Sequence, residues 1–226
     1  MLKYSERNGI SLLTVESLDK LRACIDLLIE DKKIEKQETL KATYDKYLHP
    51  SVLDYTNQEM WGLIPKGSVL DLFQFQTSLA IDCVKKSTPT NLVELAHVNS
   101  LLRLAVDDGE QPIDQFVRYK SDINEWYKDM REYGLNEDEI KVLEGHLLEV
   151  QGICATQEDL MEMCQNPKIA NFDLVLCNKI RKGLAKKKPE ILEECKEIFF
   201  TKGKEVGARE IFLNYVWYEQ FKKQFG

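Results

Sequence analysis

The clearest structural signal in the chain is the stretch 136–150, which reads NEDEIKVLEGHLLEV. Asn136 is a favoured helix-capping residue, and the three acids after it would lie at the positive end of the helix dipole. Apolar residues then recur in steps of three and four, which places them on one helical face. They are Ile140, Leu143, Leu147 and Val150. The stretch therefore predicts an amphipathic helix that begins just after Asn136.

Similar helical patterns lie on both sides of this stretch. They follow Thr14, Thr90, Pro112, Thr156, Asp173, Pro189 and, near the C-terminus, a position close to Ala208. These starting residues are mostly of the types that cap helices or open their first turn, and Asp159 gives Thr156 the pattern of a capping box. No period of about 20–50 residues recurs, which argues against a solenoid. The predicted fold class is mainly α, a multi-helix domain with an N-terminal helix and a connector.

Residues 32–70 interrupt the helical pattern. The His49-Pro50 dipeptide and the run Ile64-Pro65-Lys66-Gly67 favour a connector with short helical pieces. Residues 70–75 alternate loosely around Phe73 and Phe75, which fits either a short strand or an extended entry into the next helix. Two regions are predicted: residues 1–58 hold the N-terminal segment, its helix and the connector, and residues 59–226 form a helical domain.

The composition is that of an ordinary folded protein. The chain is 43% hydrophobic with 6 Pro and 11 Gly, unlike disordered or fibrous sequences. No stretch approaches the roughly 20 apolar residues of a membrane helix, and residues 1–7 lack the apolar core of a signal peptide. We therefore expect a cytoplasmic protein without a membrane partner. The six scattered cysteines form no C-x-x-C pair, which favours reduced, mostly buried thiols over disulfides or a zinc site.

Short motifs reveal no self-sufficient active site. His49, His97 and His146 are too widely spaced for a metal-binding pair, so each is predicted to be a surface residue or a satisfied core residue. Asp107 and Asp108 belong to an acidic turn that also contains a glycine. A loop of this kind lacks the rigidity that two-metal catalysis needs, so a solvated turn is predicted there.

Positive charge is concentrated in residues 179–188. The formal net charge of the chain is −7, yet this window holds six cations and no acid. On a single helix, Lys179, Lys182 and Lys186 fall on one face, and Arg181 and Lys188 share a neighbouring face. Clustered guanidinium and ammonium groups bind triphosphates and nucleic-acid backbones. A solvated charged face explains the pattern equally well, so the residues alone leave both interpretations open.

Three segments resemble motifs of the family C replicative DNA polymerases, the polymerase III alpha type of bacteria and their phages. Residues 73–77 (FQFQT) resemble F-Q-[LF]-[ED]-[ST], with Gln76 where an acid is common. Residues 152–161 (GICATQEDLM) resemble G-[IV]-x-x-[YT]-Q-E-x-[VLM]-M. Residues 179–190 (KIRKGLAKKKPE) resemble L-R-[RK]-A-[IM]-[GA]-K-K-K-P-E. The shared order and similar spacing make the three motifs together far more specific than any one of them.

The resemblance extends to both ends of the chain. Residues 10–20 are similar to the segment that leaves the palm domain, and residues 215–226 resemble the helix before the family's Y-[GS]-F-N-x-[SP]-H motif. Phage variants are more similar than the bacterial subunit, because Arg103-Leu104-Ala105 stands where the latter has R-P-G. The resemblance implies a palm-exit segment, helix and connector in residues 1–58 and a fingers-like helical domain in residues 59–226.

The resemblance also implies which chemistry is missing. In this family, palm aspartates hold two Mg²⁺ ions while the primer 3′-hydroxyl attacks the α-phosphate of a dNTP. The D-x-D pair would precede residue 1, and the third aspartate aligns with Ser11, whose hydroxyl cannot replace a carboxylate ligand. We therefore expect no catalytic residue and no metal site in this chain, inactivity of the chain alone, and Mg²⁺ only together with the palm.

The implied role is the nucleotide-facing half of a DNA polymerase site. Triphosphate contacts are predicted for Arg181, Lys182, Lys186 and Lys187. Lining or bracing positions are predicted for Arg103, Gln157 and Glu158, and DNA contacts for Lys179 and Lys188. The expected partners are template-primer DNA, dNTP and the remaining polymerase segments, palm and thumb.

An alternative function is a non-catalytic helical module that binds a protein partner. Such a module would expose a large apolar patch and respond little to salt, whereas a polymerase fragment would lose DNA affinity steeply as salt rises. A docking subunit would use Trp61, Trp126 or Trp217, but these residues are predicted to lie in the core.

Overall fold

The protein is described by a computed structural model that covers residues 16–69, 72, 74–104, 109–186 and 188–222. These residues form twelve α-helices, a short 3₁₀ turn and a π-helix, and no strand occurs among them. The predicted mainly α fold class is confirmed. Five predicted features lie outside the described residues. They are Ser11, the cap Thr14, Phe73, the acidic pair Asp107 and Asp108, and Lys187.

The chain divides into two compact units, Met1–Asn57 and Gln58–Gly226. The first unit contains α1 (Glu16–Glu30) and α2 (Leu40–Tyr47). Thr39 caps α2, because its hydroxyl oxygen accepts a hydrogen bond from the backbone N–H of Ala42 at 3.0 Å. The second unit, which we call the helical unit, contains the remaining elements and the cleft described below.

Ten α-helices belong to the helical unit. They are α3 (Gln58–Leu63), α4 (Ser78–Ser87), α5 (Leu92–Leu101), α6 (Pro112–Ser121), α7 (Ile123–Tyr133), α8 (Glu137–Leu147), α9 (Gln157–Gln165), α10 (Leu174–Lys186), α11 (Pro189–Glu205) and α12 (Glu210–Asn214). A 3₁₀ turn (Leu148–Val150) follows α8, and a π-helix (Tyr215–Lys222) follows α12. Helices that are neighbours in sequence also pack together, most extensively α9 on α10 and α10 on α11.

The helix starts predicted at Asn136, Thr156 and Pro189 are confirmed. The Asn136 side chain accepts from the backbone N–H of Glu139 at 3.0 Å, and the Glu139 carboxylate accepts from the backbone N–H of Asn136 at 2.9 Å. Thr156 and Asp159 form the same reciprocal capping box. Pro189 is at the first turn of α11, where its missing N–H costs nothing. Each side-chain cap contributes roughly 1 kcal/mol to helix stability.

Two other helix ends differ from the prediction. The helix expected to follow Thr90 begins after Asn91, whose side chain accepts from the backbone N–H of Glu94 at 2.9 Å. The last helix, predicted from about Ala208, begins at Glu210 and continues as the π-helix after Asn214. In residues 70–75, the described positions Leu72, Gln74 and Phe75 are not in a strand.

The basic window does not lie on a single helix. Helix α10 ends at Lys186, and Lys188 is the N-cap residue of α11, with the extended backbone angles φ −89° and ψ 127°. The residue before a proline is disfavoured in the α conformation, so Pro189 forces this break. The prediction that Arg181 and Lys188 share one face of a single helix is therefore wrong.

The core of the helical unit contains all three tryptophans, as predicted, because Trp61, Trp126 and Trp217 are each no more than 3% exposed. All six cysteines are free thiols and five of them are buried, which agrees with the expectation of mostly buried thiols. His97 is buried, but its Nε2 atom has no hydrogen-bond partner among the described residues. For that atom the expectation of a satisfied core histidine is wrong.

Candidate functional site

A cleft of about 450 Å³ lies between the residues after α5, the start of α9 and the last two turns of α10. This volume falls within the range of about 300–1,000 Å³ that ligand sites occupy. Part of the cleft wall is apolar, with Leu160 and Leu184 each 1% exposed. Four of the site residues predicted from sequence line this one cleft. They are Arg103, Gln157, Glu158 and Arg181.

Arg181 is held in the cleft by two amide oxygens. Its Nη1 atom donates to Oε1 of Gln157 at 2.6 Å, and its Nε donates to Oδ1 of Asn178 at 3.4 Å. An amide oxygen carries no formal charge, so these bonds orient the guanidinium without neutralising it. No carboxylate among the described residues pairs with Arg181, so its positive charge is available to an anionic ligand.

Arg103 is held in the same way from a different part of the chain. Its Nη2 atom donates to Oε1 of Gln74 at 2.6 Å. Gln74 lies in the turn before α4 and adopts a positive φ of 68°. Sequence reasoning included Gln74 in a motif but gave it no role, because no local pattern links it to a residue 29 positions away.

A glycine and a buried glutamine determine the conformation of the turn that leads into α9. Gly152 has φ +75°, and a Cβ atom there would lie 2.7 Å from the Trp126 ring, so the turn requires glycine. Gln220 of the π-helix accepts from the backbone N–H of Cys154 at 3.0 Å and donates to the carbonyl of Gly152 at 3.2 Å. These contacts position the cleft residues that follow, beginning with Gln157.

The other predicted cations that the structure describes do not line the cleft. Lys182 and Lys186 are exposed on α10, and neither forms an ion pair within the described part of the chain. Lys179 is paired with Glu194 of α11, with Nζ and Oε1 2.6 Å apart. Lys188 is exposed at the start of α11. The structure thus separates Arg181 from the lysines that neighbour it in sequence.

Neither a membrane-spanning helix nor a cluster of metal-binding side chains occurs among the described residues. None of their helices combines the length and the apolar character that a membrane span requires. No three of their His, Cys, Asp or Glu side chains gather in a way that would hold a metal ion.

The cleft and most of the described helices lie in a segment that matches a known protein family. Residues 20–207 match the family described as the bacterial DNA polymerase III alpha subunit finger domain. The chain belongs to this family, which confirms the resemblance seen in its motifs.

Three relatives show how much of a larger protein the chain represents. It is 49% identical over 95% of its length to a probable DNA polymerase, YorL, of Bacillus subtilis, and equally to a DNA-directed DNA polymerase of Bacillus phage SPbeta. It is 25% identical over 79% of its length to the DNA polymerase III subunit alpha of Saccharopolyspora erythraea. The chain spans 16% of the first two relatives and 14% of the third.

Proposed function

We propose that this chain is the fingers portion of a DNA-directed DNA polymerase and that the cleft binds the triphosphate of an incoming dNTP. One observation carries the proposal: Arg103 and Arg181 line the same cleft, and within the described part of the chain both bond to neutral amide oxygens and to no carboxylate. Guanidinium groups bind phosphate oxygens through paired N–H donors. Membership of the finger-domain family supports the same reading.

The remaining predicted cations fit a supporting role on the surface next to the cleft. Lys182 and Lys186 would add positive potential beside Arg181 on the same helix. Lys179 and Lys188 would contact the DNA backbone. The ion pair of Lys179 with Glu194 is exposed and therefore weak, so a DNA phosphate can replace the carboxylate at little cost.

Catalysis is assigned in this proposal to segments other than this chain. The palm would supply the carboxylates that hold Mg²⁺, and palm and thumb would hold the template-primer DNA against the fingers. Each charge-assisted contact from the cleft arginines to phosphate contributes roughly 1.5–3 kcal/mol. Two such contacts without metal give weak binding, so we expect low dNTP affinity and no nucleotidyl transfer from this chain alone.

Calorimetric titration of the chain with a dNTP tests the cleft. We expect Arg103→Ala and Arg181→Ala each to weaken binding by about tenfold or more, because each removes a contact of this size. The matched control is Arg131→Ala, since Arg131 is an exposed arginine that pairs with Glu137 on α8, away from the cleft. Unchanged dNTP affinity in the Arg103→Ala, Arg181→Ala double variant would rule out the cleft as the triphosphate site.

Salt dependence tests DNA binding and separates the polymerase reading from a protein-interaction module. We expect the affinity for primer-template DNA, measured by fluorescence anisotropy, to fall with a log–log slope of about 0.9 per phosphate neutralised. The triple variant Arg181→Ala, Lys186→Ala, Lys187→Ala should bind more weakly and show a shallower slope. Equal affinity of wild type and triple variant would remove the basic window from the DNA-binding surface.

A further inference from the structure

We infer that Gln74 and Gln157 are positioning residues of the cleft. Their neutral oxygens orient Arg103 and Arg181 without offsetting the positive charge of either guanidinium, so that both charges can bind a polyphosphate. The inference rests on the proposed function, because it assumes that the cleft takes an anion. It goes further by assigning a role to two uncharged side chains, Gln74 and Gln157.

The geometry of the two pairs is the same. Each glutamine Oε1 accepts one hydrogen bond from an arginine Nη atom at 2.6 Å. The glutamines come from separate elements, since Gln74 lies before α4 and Gln157 is the first residue of α9. A guanidinium has five N–H donors, and these bonds use few of them. Most donors of Arg103 and Arg181 are therefore left for phosphate oxygens.

Arginines elsewhere in the helical unit are held differently. Three of them donate to carboxylates, whose negative charge offsets the positive charge of the guanidinium. The pairs are Arg118 with Glu110 at 2.8 Å, Arg131 with Glu137 at 2.8 Å and Arg209 with Glu139 at 2.8 Å. A carboxylate adds Coulomb attraction to the hydrogen bond, so pairs of this kind suit arginines whose role is to stabilise the fold. At both cleft positions the arginine instead donates to an uncharged glutamine oxygen.

The cleft also contains a carboxylate, Glu158, which allows the role of Gln157 to be tested by exchanging the two residues. Glu158 follows Gln157 directly and lines the same cleft, yet it makes no hydrogen bond to either cleft arginine. Exchanging the two residues, as Gln157→Glu with Glu158→Gln, keeps the net charge and the side-chain sizes. The exchange changes only which of the two positions carries the negative charge. It places that charge at position 157, whose side chain contacts Arg181.

The experiment is a calorimetric titration of the whole chain with inorganic tripolyphosphate. We expect Gln157→Glu to weaken binding by about tenfold, because it neutralises Arg181, and Glu158→Gln to strengthen binding modestly. The double exchange should remain several-fold weaker than wild type and show a shallower slope of log affinity against log salt. A purely structural role of Gln157 would not change that slope, since the number of charges that meet the ligand would stay the same.

Two outcomes are decisive, and they separate this inference from the proposed function. If the double exchange binds tripolyphosphate as tightly as wild type, only the net charge of the cleft matters and the positioning role is overturned. If Arg103→Ala and Arg181→Ala leave binding unchanged, the proposed function itself fails. Gln74→Glu repeats the test at Arg103 from a turn outside the helices, which keeps the inference open to refutation if the exchange at α9 perturbs folding.

Discussion

A single buried histidine couples the stability of the helical unit to pH. His97 is 4% exposed and its ring lies against Phe116, with the ring centroids 5.5 Å apart. Burial lowers the pKa of His97 to about 4, although Asp159 and a hydrogen bond with the Val150 backbone act in the opposite direction. The imidazole is therefore neutral at physiological pH, and protonating it in the folded protein is unfavourable.

The sign of the pH effect follows from this lowered pKa. The unfolded chain binds a proton at His97 near pH 6.5, and the folded chain does so only near pH 4. Stability is therefore lost as the pH falls through this window, by on the order of 3 kcal/mol in total. We expect urea unfolding to show this loss in wild type and a smaller loss in His97→Leu.

The control for this measurement is His49→Gln, which removes an exposed histidine instead of the buried one. Carboxylates with a lowered pKa, such as Asp129 beside Arg118 and Tyr119, also lose stabilisation in acid. They are present in all variants, so they cancel in the difference between wild type and His97→Leu. Identical pH dependence of the unfolding free energy in these two proteins would contradict the assignment to His97.

Some single residues of the candidate site could be predicted from the sequence and others could not. Motif resemblance selected Arg103, Gln157, Glu158 and Arg181, and the fold brings these four to one cleft. The role of Gln74 was missed, because its bond to Arg103 joins two segments that have no local signal in common. Long-range partners of this kind depend on how helices pack, which spacing and composition do not encode.

At the scale of elements, the contact between α10 and α11 depends on a glycine. A Cβ atom at Gly183 would lie 2.3 Å from Sγ of Cys195 and 3.2 Å from Cγ2 of Ile191. The two helices therefore approach more closely at this point than any larger residue allows. Arg181 and Lys182 flank this glycine on α10, so the contact also fixes the helix that carries the predicted phosphate contacts.

We expect Gly183→Ala to destabilise the protein by roughly 1–3 kcal/mol, because overpacking outweighs the gain in helix propensity. Cys195→Ala removes the sulfur that the new methyl group would meet. The double variant Gly183→Ala, Cys195→Ala should therefore be more stable than the sum of the single effects predicts, by about 1 kcal/mol. Thermal and urea unfolding of the four proteins measure this coupling.

Gly145→Ala is the matched control for the helix contact. Gly145 lies in α8, and a Cβ atom there meets nothing within 4 Å. The substitution should stabilise the protein by up to about 1 kcal/mol through helix propensity alone. Additive effects of Gly183→Ala and Cys195→Ala would show that the sulfur is not the group with which the methyl clashes.

The helix starts were predictable and the π-helix was not, for a physical reason. Asn136, Thr156 and Pro189 act on backbone groups within four residues, so their patterns are local. The π-helix at Tyr215–Lys222 has apolar spacing that an α-helix also allows. Residues of the π-helix make long-range contacts, among them the hydrogen bonds of buried Gln220 with the turn before α9. Such tertiary preferences override local propensity.

At the scale of the whole molecule, the hydrophobic core draws on the far C-terminal part of the described chain. The buried cluster extends from Trp61 to Phe221 and includes Phe212 and Trp217. Phe199 joins these elements, with its ring centroid 5.6 Å from that of Trp217 and 5.4 Å from that of Phe221. The family match ends at residue 207, so three of these large side chains lie beyond it.

Two truncations of unequal size test this distribution. Residues 58–226 retain every member of the buried cluster, so we expect this fragment to unfold cooperatively with a midpoint within a few degrees of the whole chain's main transition. Residues 1–207 lose Phe212, Trp217 and Phe221, each of which costs about 3–5 kcal/mol when truncated in a core. That sum equals or exceeds the stability of a typical domain, so cooperative unfolding should disappear. Circular dichroism melts measure both fragments. A cooperative transition in residues 1–207 at the wild-type midpoint would show that the core closes without the C-terminal helices.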